Sequence, residues 1–342
     1  MAPADGVTTE PLHKHLWPPQ EEGDGAAPDP QSFDWRHLNM LAPDRSLPSP
    51  VTLAWQRPSV GFGPLTYSVT VARSQDLAEQ PCTVGVNRNS LDLWHLHLGV
   101  RYYWKVQARR FGRPVAESPV WTFVTNSRPP RWIRIPGITN VRDIGGWPLP
   151  GKRSIRQGLI YRSSEMNGSL QVTPRGKRIL QQDLGIRTDL DLRGKHESSP
   201  ALDEEQVTWI NVPISPYDSI GDDAFKEGYR RIFEILADET CYPLVFHCVG
   251  GADRGGTVAF LLNALLGKTP ELLFRDYELT SLSIWGERSR LSEPFKALLD
   301  VLAAFGDRDD INVQVQAYLL SIGVTPEIIG KLRRNLVTEA PR

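Results

Sequence analysis

The sequence predicts a two-domain protein, an all-β sandwich followed by an α/β domain with a substantially parallel sheet. Three observations predict it. At 342 residues the chain exceeds what one core of ordinary size serves, and about 150 residues per domain gives roughly two. Between 46 and 127, short runs alternate apolar and polar residues between Gly, Pro and Asn clusters, the period of half-buried strands. From 131 to 340, strand-like runs alternate with helical stretches, the pattern of a layered α/β domain.

Composition sets limits on function. The chain is 40% hydrophobic and 23% charged, close to the average of soluble globular proteins. Lys plus Arg (39) nearly balances Asp plus Glu (40), so no whole-molecule field draws in nucleic acid or an anionic membrane, and any affinity for anions is local. The longest strongly apolar run, 258–266, contains Asn263 and falls far short of the ~20 residues of a membrane span. The opening Met-Ala-Pro-Ala-Asp-Gly lacks the basic and apolar regions of a secretory signal, so a cytoplasmic location is expected by default, with export open if a signal has been removed. Cys82, Cys241 and Cys248 are odd in number and widely spread, which does not read as a disulfide framework and leaves at least one free thiol.

Residues 1–45 mix Pro, Gly, Glu and Asp without periodicity and predict a mobile lead-in, of which Trp17, Phe33, Trp35 and Leu38 could dock a short part on a neighbouring domain. Strands are expected at 51–55, 65–71, 102–108 and 120–124. Trp55 in an early strand, Tyr67-Ser-Val69 in the next, Tyr102-Tyr-Trp-Lys-Val-Gln-Ala108 late and Ser118-Pro-Val-Trp-Thr-Phe123 at the end resemble a fibronectin type III domain over about 80 residues. Such a resemblance implies an adhesive or spacing module, with a protein partner possible through the sandwich, and says little about chemistry. His95 and His97 in Trp94-His-Leu-His-Leu98 would share a strand face, but without a third ligand they read as solvated polar residues and no metal is expected. Asn126-Ser-Arg-Pro-Pro130 reads as a semi-rigid hinge between the domains.

In the second domain, strands are expected at 159–162, 188–192, 208–213 and 244–247, and helices around 173–184, 224–237, 257–266 and 271–279. Ligands of such sheets bind beyond the carboxyl ends of the strands. At one such end stands His247-Cys-Val-Gly-Gly-Ala-Asp-Arg-Gly-Gly-Thr257, joining the apolar strand Leu244-Val-Phe246 to a helix apolar on most faces. A loop with Gly250, Gly251, Gly255 and Gly256 can turn its N–H groups toward one centre, and together with the helix N-terminus it suits an anion. The same environment lowers a thiol pKa and makes Cys248 available as a thiolate nucleophile. The planar guanidinium of Arg254 can hold two phosphoryl oxygens through the transition state. The candidate phosphate cradle is therefore Cys248, Val249, Gly250, Gly251, Ala252, Asp253 and Arg254.

Cys-x5-Arg between strand and helix resembles the signature of the protein tyrosine phosphatase superfamily. Asn140-Val-Arg-Asp-Ile-Gly-Gly146, Tyr161-Arg-Ser-Ser164, Leu184-Gly-Ile-Arg-Thr-Asp-Leu-Asp-Leu-Arg193 with Glu197, and Tyr318-Leu-Leu-Ser-Ile-Gly-Val-Thr-Pro-Glu327 look like the bacterial tyrosine phosphatase family whose P-loop-like active loop carries Asp before Arg. The resemblance spans about 200 residues, from Ile135 to Leu336. It implies a phosphocysteine mechanism without metal or organic cofactor, acting on a phosphorylated protein or a small phosphate ester. It also implies that His247 supports the loop and thiolate, and that Asn140, Arg142, Asp143, Arg193 and Glu197 hold loops around the site.

Two aspartates compete as general acid. Asp253 occupies the family's loop position but also suits a helix cap. Asp218, in Pro213-Ile-Ser-Pro-Tyr-Asp-Ser219, lies some thirty residues before Cys248 as in other superfamily members, with Asp222 and Asp223 nearby, and each equally suits a turn. Two departures stand out. Ala252 replaces a common Lys, which weakens the case for a highly phosphorylated substrate such as a phosphoinositide. Gly255 replaces a Thr or Ser whose hydroxyl assists thiolate departure, so hydrolysis of the intermediate could be slow, with Thr257 only a partial substitute. The alternative is a catalytically weak pseudophosphatase that binds phosphate esters. A rhodanese-like sulfur transfer is disfavoured by the spacing to Arg254, and Cys241 is not expected to meet Cys248.

Overall fold

A computed structural model describes residues 3–13, 44–306 and 309–339. Residues 14–43, with Trp17, Phe33, Trp35 and Leu38, lie outside the described residues. The chain divides into two compact units, 1–14 with 48–131, and 15–47 with 132–342.

The first unit is all-β. Its strands are β1 Val7–Thr8, β2 Val51–Ala54, β3 Thr66–Ala72, β4 Cys82–Val86, β5 Ser90–Leu93, β6 Arg101–Arg110, β7 Arg113–Glu117 and β8 Trp121–Val124. One sheet has the order β1-β8-β6-β3-β4, with β7 also on β6, and a second consists of β2 and β5. Strict alternation along β6 buries Tyr102, Trp104, Val106 and Ala108, which share a core with Leu53, Trp55, Tyr67, Val69 and Phe123 from both sheets. Trp104 lies between Trp55 and Trp121, with ring centroids 6.5 and 4.6 Å away.

Two expectations change here. The lead-in expected over 1–45 is structured near its start, where Val7–Thr8 adds to β8 in parallel. No hairpin joins these two strands, so nothing imposes the antiparallel sense found elsewhere in this unit. His95 and His97 do not share a strand face. The strand ends at Leu93, His95 has φ +62°, and the carbonyls of His95 and Leu96 accept from the Arg131 guanidinium.

The second unit is α/β. In chain order it contains β9 Arg142–Asp143, β10 Pro148–Leu149, β11 Arg153–Ile155, β12 Ile160–Ser163, α1 Pro174–Arg178, β13 Thr188–Asp191, β14 Thr208–Asn211, α2 Asp223–Ala237, β15 Leu244–His247, α3 Arg254–Leu265, α4 Pro270–Glu278, α5 Glu293–Leu302, α6 Ile311–Ser321, α7 Pro326–Leu336 and β16 Val337–Glu339. The main sheet runs β14-β13-β15-β12-β9. Its first four strands are parallel, but β9 runs antiparallel to β12, so the sheet is mixed. The chain passes from β9 to β12 through the β10–β11 excursion and no crossover helix, and the rule that makes βαβ neighbours parallel does not apply there. A small antiparallel sheet of β10, β11 and β16 completes the unit.

Central placement of β15 determines where its carboxyl end opens, because β12 and β13 flank it on both edges in the same register. Every residue from Gly255 to Leu265 in α3 is buried, which explains why that helix is apolar all round. The helical pattern at 173–184 is realised as α1 followed by a π turn at Ile179–Asp183. Among the described residues no helix is long and apolar enough to cross a membrane. Leu261, fully buried in α3, anchors the loop-helix junction to the core. Leu261→Ala is expected to lower the unfolding free energy of this unit by about 2–5 kcal/mol, read by chemical denaturation.

Candidate active site

The connection from β15 to α3 is built by turning carbonyls away from its centre. The carbonyl of Val249 accepts from the Glu165 N–H (2.9 Å), that of Gly250 from Asn140 Nδ2 (3.0 Å), and that of Gly251 from Arg162 Nη2 (2.5 Å). The Asp253 carbonyl accepts from both the backbone N–H (2.8 Å) and the hydroxyl (3.0 Å) of Thr257. Among the described residues, no protein acceptor takes the N–H of Val249, Gly250, Gly251, Ala252, Asp253 or Arg254. A six-residue turn with its acceptors committed outward and its donors uncommitted at a helix N-terminus is suited to an anion. Glycine is required at 251, where φ is +61° and a Cβ would lie 2.2 Å from the Ser163 carbonyl oxygen.

Cys248 opens this turn with 4% of its surface exposed, and Arg254 begins α3 with its guanidinium 3.8 Å from Glu197. The structure thus brings Cys248, the loop 249–253 and Arg254 together in one short segment. A Cβ on Gly255 would stand 3.9 Å from Cys248 Sγ, so a hydroxyl-bearing side chain at 255 would approach the sulfur. Thr257 does not take that place. Its hydroxyl donates to the Asp253 carbonyl and accepts from the Tyr217 N–H (3.1 Å).

Beneath the loop lies a buried set of charges. Arg142 donates through Nε to Asp276 Oδ1 (3.1 Å) and through Nη1 to Asn140 Oδ1 (2.5 Å), which orients the amide that holds Gly250. Lys268 places its ammonium 3.5 Å from Asp276 Oδ2 and 3.8 Å from the centre of the Trp147 ring, a cation–π contact. Burial pulls the Arg162 guanidinium down to about 9, aided by the neighbouring charge of Arg142, while Asp276 and Cys248 act in the other direction. Burial likewise pulls Lys268 down to about 8 against the attraction of Asp276. Although burial opposes ionisation of Asp276, Lys268, Arg142 and Arg162 hold it well below the usual carboxylate range.

The flanking motif residues brace the same region. Asp143 accepts from the N–H groups of Gly145 and Gly158, both at 2.7 Å. Arg193 forks onto Asp191 and reaches Glu165 and Asn167. His247 is buried, with Nε2 3.0 Å from Asp189 Oδ1 and 3.9 Å from Asp191 Oδ2. At 3.9 Å the Asp191 carboxylate is too far for a hydrogen bond and acts on the ring through its charge. Burial disfavours the charged ring, yet Asp189 and Asp191 outweigh it and raise its pKa.

The two candidate acids have different surroundings. Asp253 makes no side-chain cap to α3, contrary to the capping alternative. Its Oδ1 accepts from the Tyr217 hydroxyl (2.5 Å) and Arg288 Nε (2.9 Å), and its Oδ2 from Arg288 Nη2 (3.1 Å). Tyr217 also meets the Tyr277 hydroxyl at 2.9 Å, and burial, Tyr277 and the Asp253 charge raise its pKa. Asp218 is exposed in the 3-10 turn Tyr217–Gly221, which the Tyr217 N–H docks on Thr257 of α3. Asp222 caps no helix with its side chain, and Asp223 pairs with Lys226. Cys241 lies in a 3-10 turn before β15 and Cys248 just after it, so a full strand separates them and neither forms a disulfide.

Sequence reading passed over Arg162, Lys268, Asp276, Tyr217, Arg288 and Trp285, whose indole would meet a Cβ on Gly250 at 3.0 Å. Two of them stood in segments already singled out, Arg162 in Tyr161-Arg-Ser-Ser164 and Tyr217 beside Asp218 in Pro213-Ile-Ser-Pro-Tyr-Asp-Ser219. Removing the carboxylate of Asp276 would leave Arg142 and Lys268 buried without their counter-charge. Asp276→Asn is expected to lower stability by about 3–5 kcal/mol, measured by chemical denaturation, with a lower thermal midpoint as the qualitative check.

A relative from Cupriavidus necator, named for tyrosine-protein phosphatase activity, is 30% identical over 166 residues, 41% of this chain. The chain spans 59% of that relative's length. Among solved structures, the catalytic core of the Saccharomyces cerevisiae PP-IP phosphatase SIW14 matches at 18% identity over 37% of this chain and 75% of that one, with a TM-score of 0.29. Pseudomonas aeruginosa TpbA in complex with pTyr matches at 16% identity over 54% of this chain and 89% of that one, also at 0.29. Scores that low carry no weight for fold or function. The family model described as the tyrosine phosphatase family matches residues 133–338, the whole segment that builds the loop and its supports, and the chain belongs to that family.

Proposed function

We propose that the α/β unit hydrolyses phosphate monoesters through a phosphocysteine intermediate, with protein phosphotyrosine, or phosphotyrosine and phosphoserine or threonine together, as the substrate class. The observation that carries this reading is the loop 249–254, its carbonyls drawn outward around Cys248 and its N–H groups free for a phosphoryl group. Arg142, Arg162 and Lys268 against the carboxylate of Asp276 leave a positive surplus behind the loop, which suits an anionic phosphoryl group. Sulfur attacks phosphorus in line, the P–O bond to the leaving group breaks, and Arg254 with the loop amides holds the three equatorial oxygens. Water then attacks phosphorus, the P–S bond breaks, and inorganic phosphate leaves as the thiolate is restored.

Asp218 is the better proton donor for the departing oxygen. It is exposed in a turn docked on the first turn of α3, whereas Asp253 is engaged by Arg288 and Tyr217 in a way that suits a carboxylate bracing the loop. Ala252 offers no extra cation for a polyphosphorylated ligand. The all-β unit is read as fibronectin type III-like from the order of Trp55, Tyr67, Trp104 and Trp121, and contributes a surface with no catalytic group assigned to it.

Gly255 favours a second reading, in which phosphocysteine forms and is released so slowly that the protein acts as a phosphate-ester binder. Assays with p-nitrophenyl phosphate separate these possibilities. Steady turnover that falls about a thousandfold or more in Cys248→Ser supports the hydrolase. Full activity in that variant excludes it, and a burst of one equivalent followed by arrest supports the binder. Asp218→Asn is expected to lower kcat about 10- to 100-fold on phosphotyrosyl peptide, with a smaller effect for Asp253→Asn. Gly255→Ser is expected to speed release of the intermediate, read as a higher steady rate after the burst.

A further inference from the structure

One end of the all-β unit carries a feature that phosphate-ester hydrolysis does not use. Phe62 and Phe111 are the two most exposed large hydrophobic residues described, at 102% and 90%. Phe62 lies in Gly61-Phe-Gly-Pro64 between β2 and β3, and Phe111 in the turn between β6 and β7. They share one end because Thr66, the first residue of β3, pairs with Arg109 near the end of β6. Arg110 Nη2 donates to the carbonyls of Val60 (2.7 Å) and Gly61 (3.1 Å), and Arg57 donates to the carbonyl of Gly63, so the Phe62 loop is held in shape.

Phe111 is there against local preference. Both central residues of its turn, Phe111 (φ +49°) and Gly112 (φ +78°), are left-handed, a hairpin that favours Asn-Gly. A bulky side chain at that φ is strained, and this one gains no burial in return. Charge at this end is also one-sided. The segments 55–66, 86–90 and 109–114 contain Arg57, Arg88, Arg109, Arg110 and Arg113 with no Asp or Glu, in a chain whose net charge is -1. A groove of about 760 Å³ opens beside them, lined in part by Ser68, Asn87, Arg88 and Arg109.

We propose that this end docks on an anionic lipid bilayer surface. Phe62 and Phe111 enter the boundary between headgroups and acyl chains, the arginines meet lipid phosphates, and the groove takes a headgroup. Rings projecting from loop tips suit insertion, whereas binding of single-stranded nucleic acid needs rings that bases can stack on along a groove. A protein partner would need two apolar pockets set for the phenyl rings in addition to acidic groups for the arginines, whereas an anionic bilayer presents both chemistries over its whole surface.

The test is cosedimentation of the full chain with phosphatidylcholine vesicles, with and without about 30% phosphatidylserine, at low salt and at about 0.5 M NaCl. Binding is expected only with phosphatidylserine, falling about tenfold or more in high salt and in Phe62→Ser/Phe111→Ser. Arg88→Glu/Arg109→Glu is expected to weaken it by a similar factor. Phe111→Asn separates surface from fold, because it should weaken vesicle binding without lowering the thermal midpoint. Equal binding to both vesicle types, no binding at low salt, or retention on heparin without vesicle binding would each overturn the proposal. Cys248→Ser is expected to bind vesicles like the parent, so this result is independent of the hydrolase assays.

Discussion

A peptide turn can present its N–H groups to an anion only if its carbonyls are satisfied elsewhere, and in this protein that requirement organises the α/β unit. Asn140, Arg162 with Glu165, and Thr257 each take a carbonyl of the turn between β15 and α3, and they come from three separate stretches of chain. Asn140 is held by Arg142, and Arg142 by Asp276 on α4. The turn is shaped from behind by a chain of buried polar contacts that reaches two elements away.

The same contacts leave an electrostatic imbalance. Arg142, Arg162 and Lys268 surround the single carboxylate of Asp276, all within the interior. Buried cations are unfavourable unless paired, and the depressed values of Arg162 and Lys268 express that directly. An anion held at the turn would offset that imbalance.

The rim of the turn follows a different logic. Asp253, next to the arginine of the motif, is braced by Arg288 and by Tyr217, whose hydroxyl also meets Tyr277. Trp285 packs over Gly250 from the same segment as Arg288. Trp285 and Arg288 thus place one indole and one guanidinium from the segment 283–290 beside the turn.

Strands β2, β3, β6 and β8 of the first unit and β12 to β15 of the second coincide with runs picked out by period, since alternation in β3 and β6 and the apolar run of β15 follow from which faces are buried, whereas β4, β5, β7, β10, β11 and β16 are too short or too exposed to carry that signal. Cys248, Arg254 and the glycines between them drew notice in the sequence because the proposed nucleophile, clamp and cradle are contiguous in the chain. What the sequence did not disclose depends on distant contacts. The antiparallel β9 and the parallel β1 follow from edges that only the folded sheet offers. Lys268, Asp276, Arg288 and Tyr217 read as ordinary surface polar residues until tertiary packing brings them to the turn. Local periodicity and spacing report what neighbours along the chain can do together, whereas the partners of a buried charge, and so its ionisation, are decided only when remote segments meet.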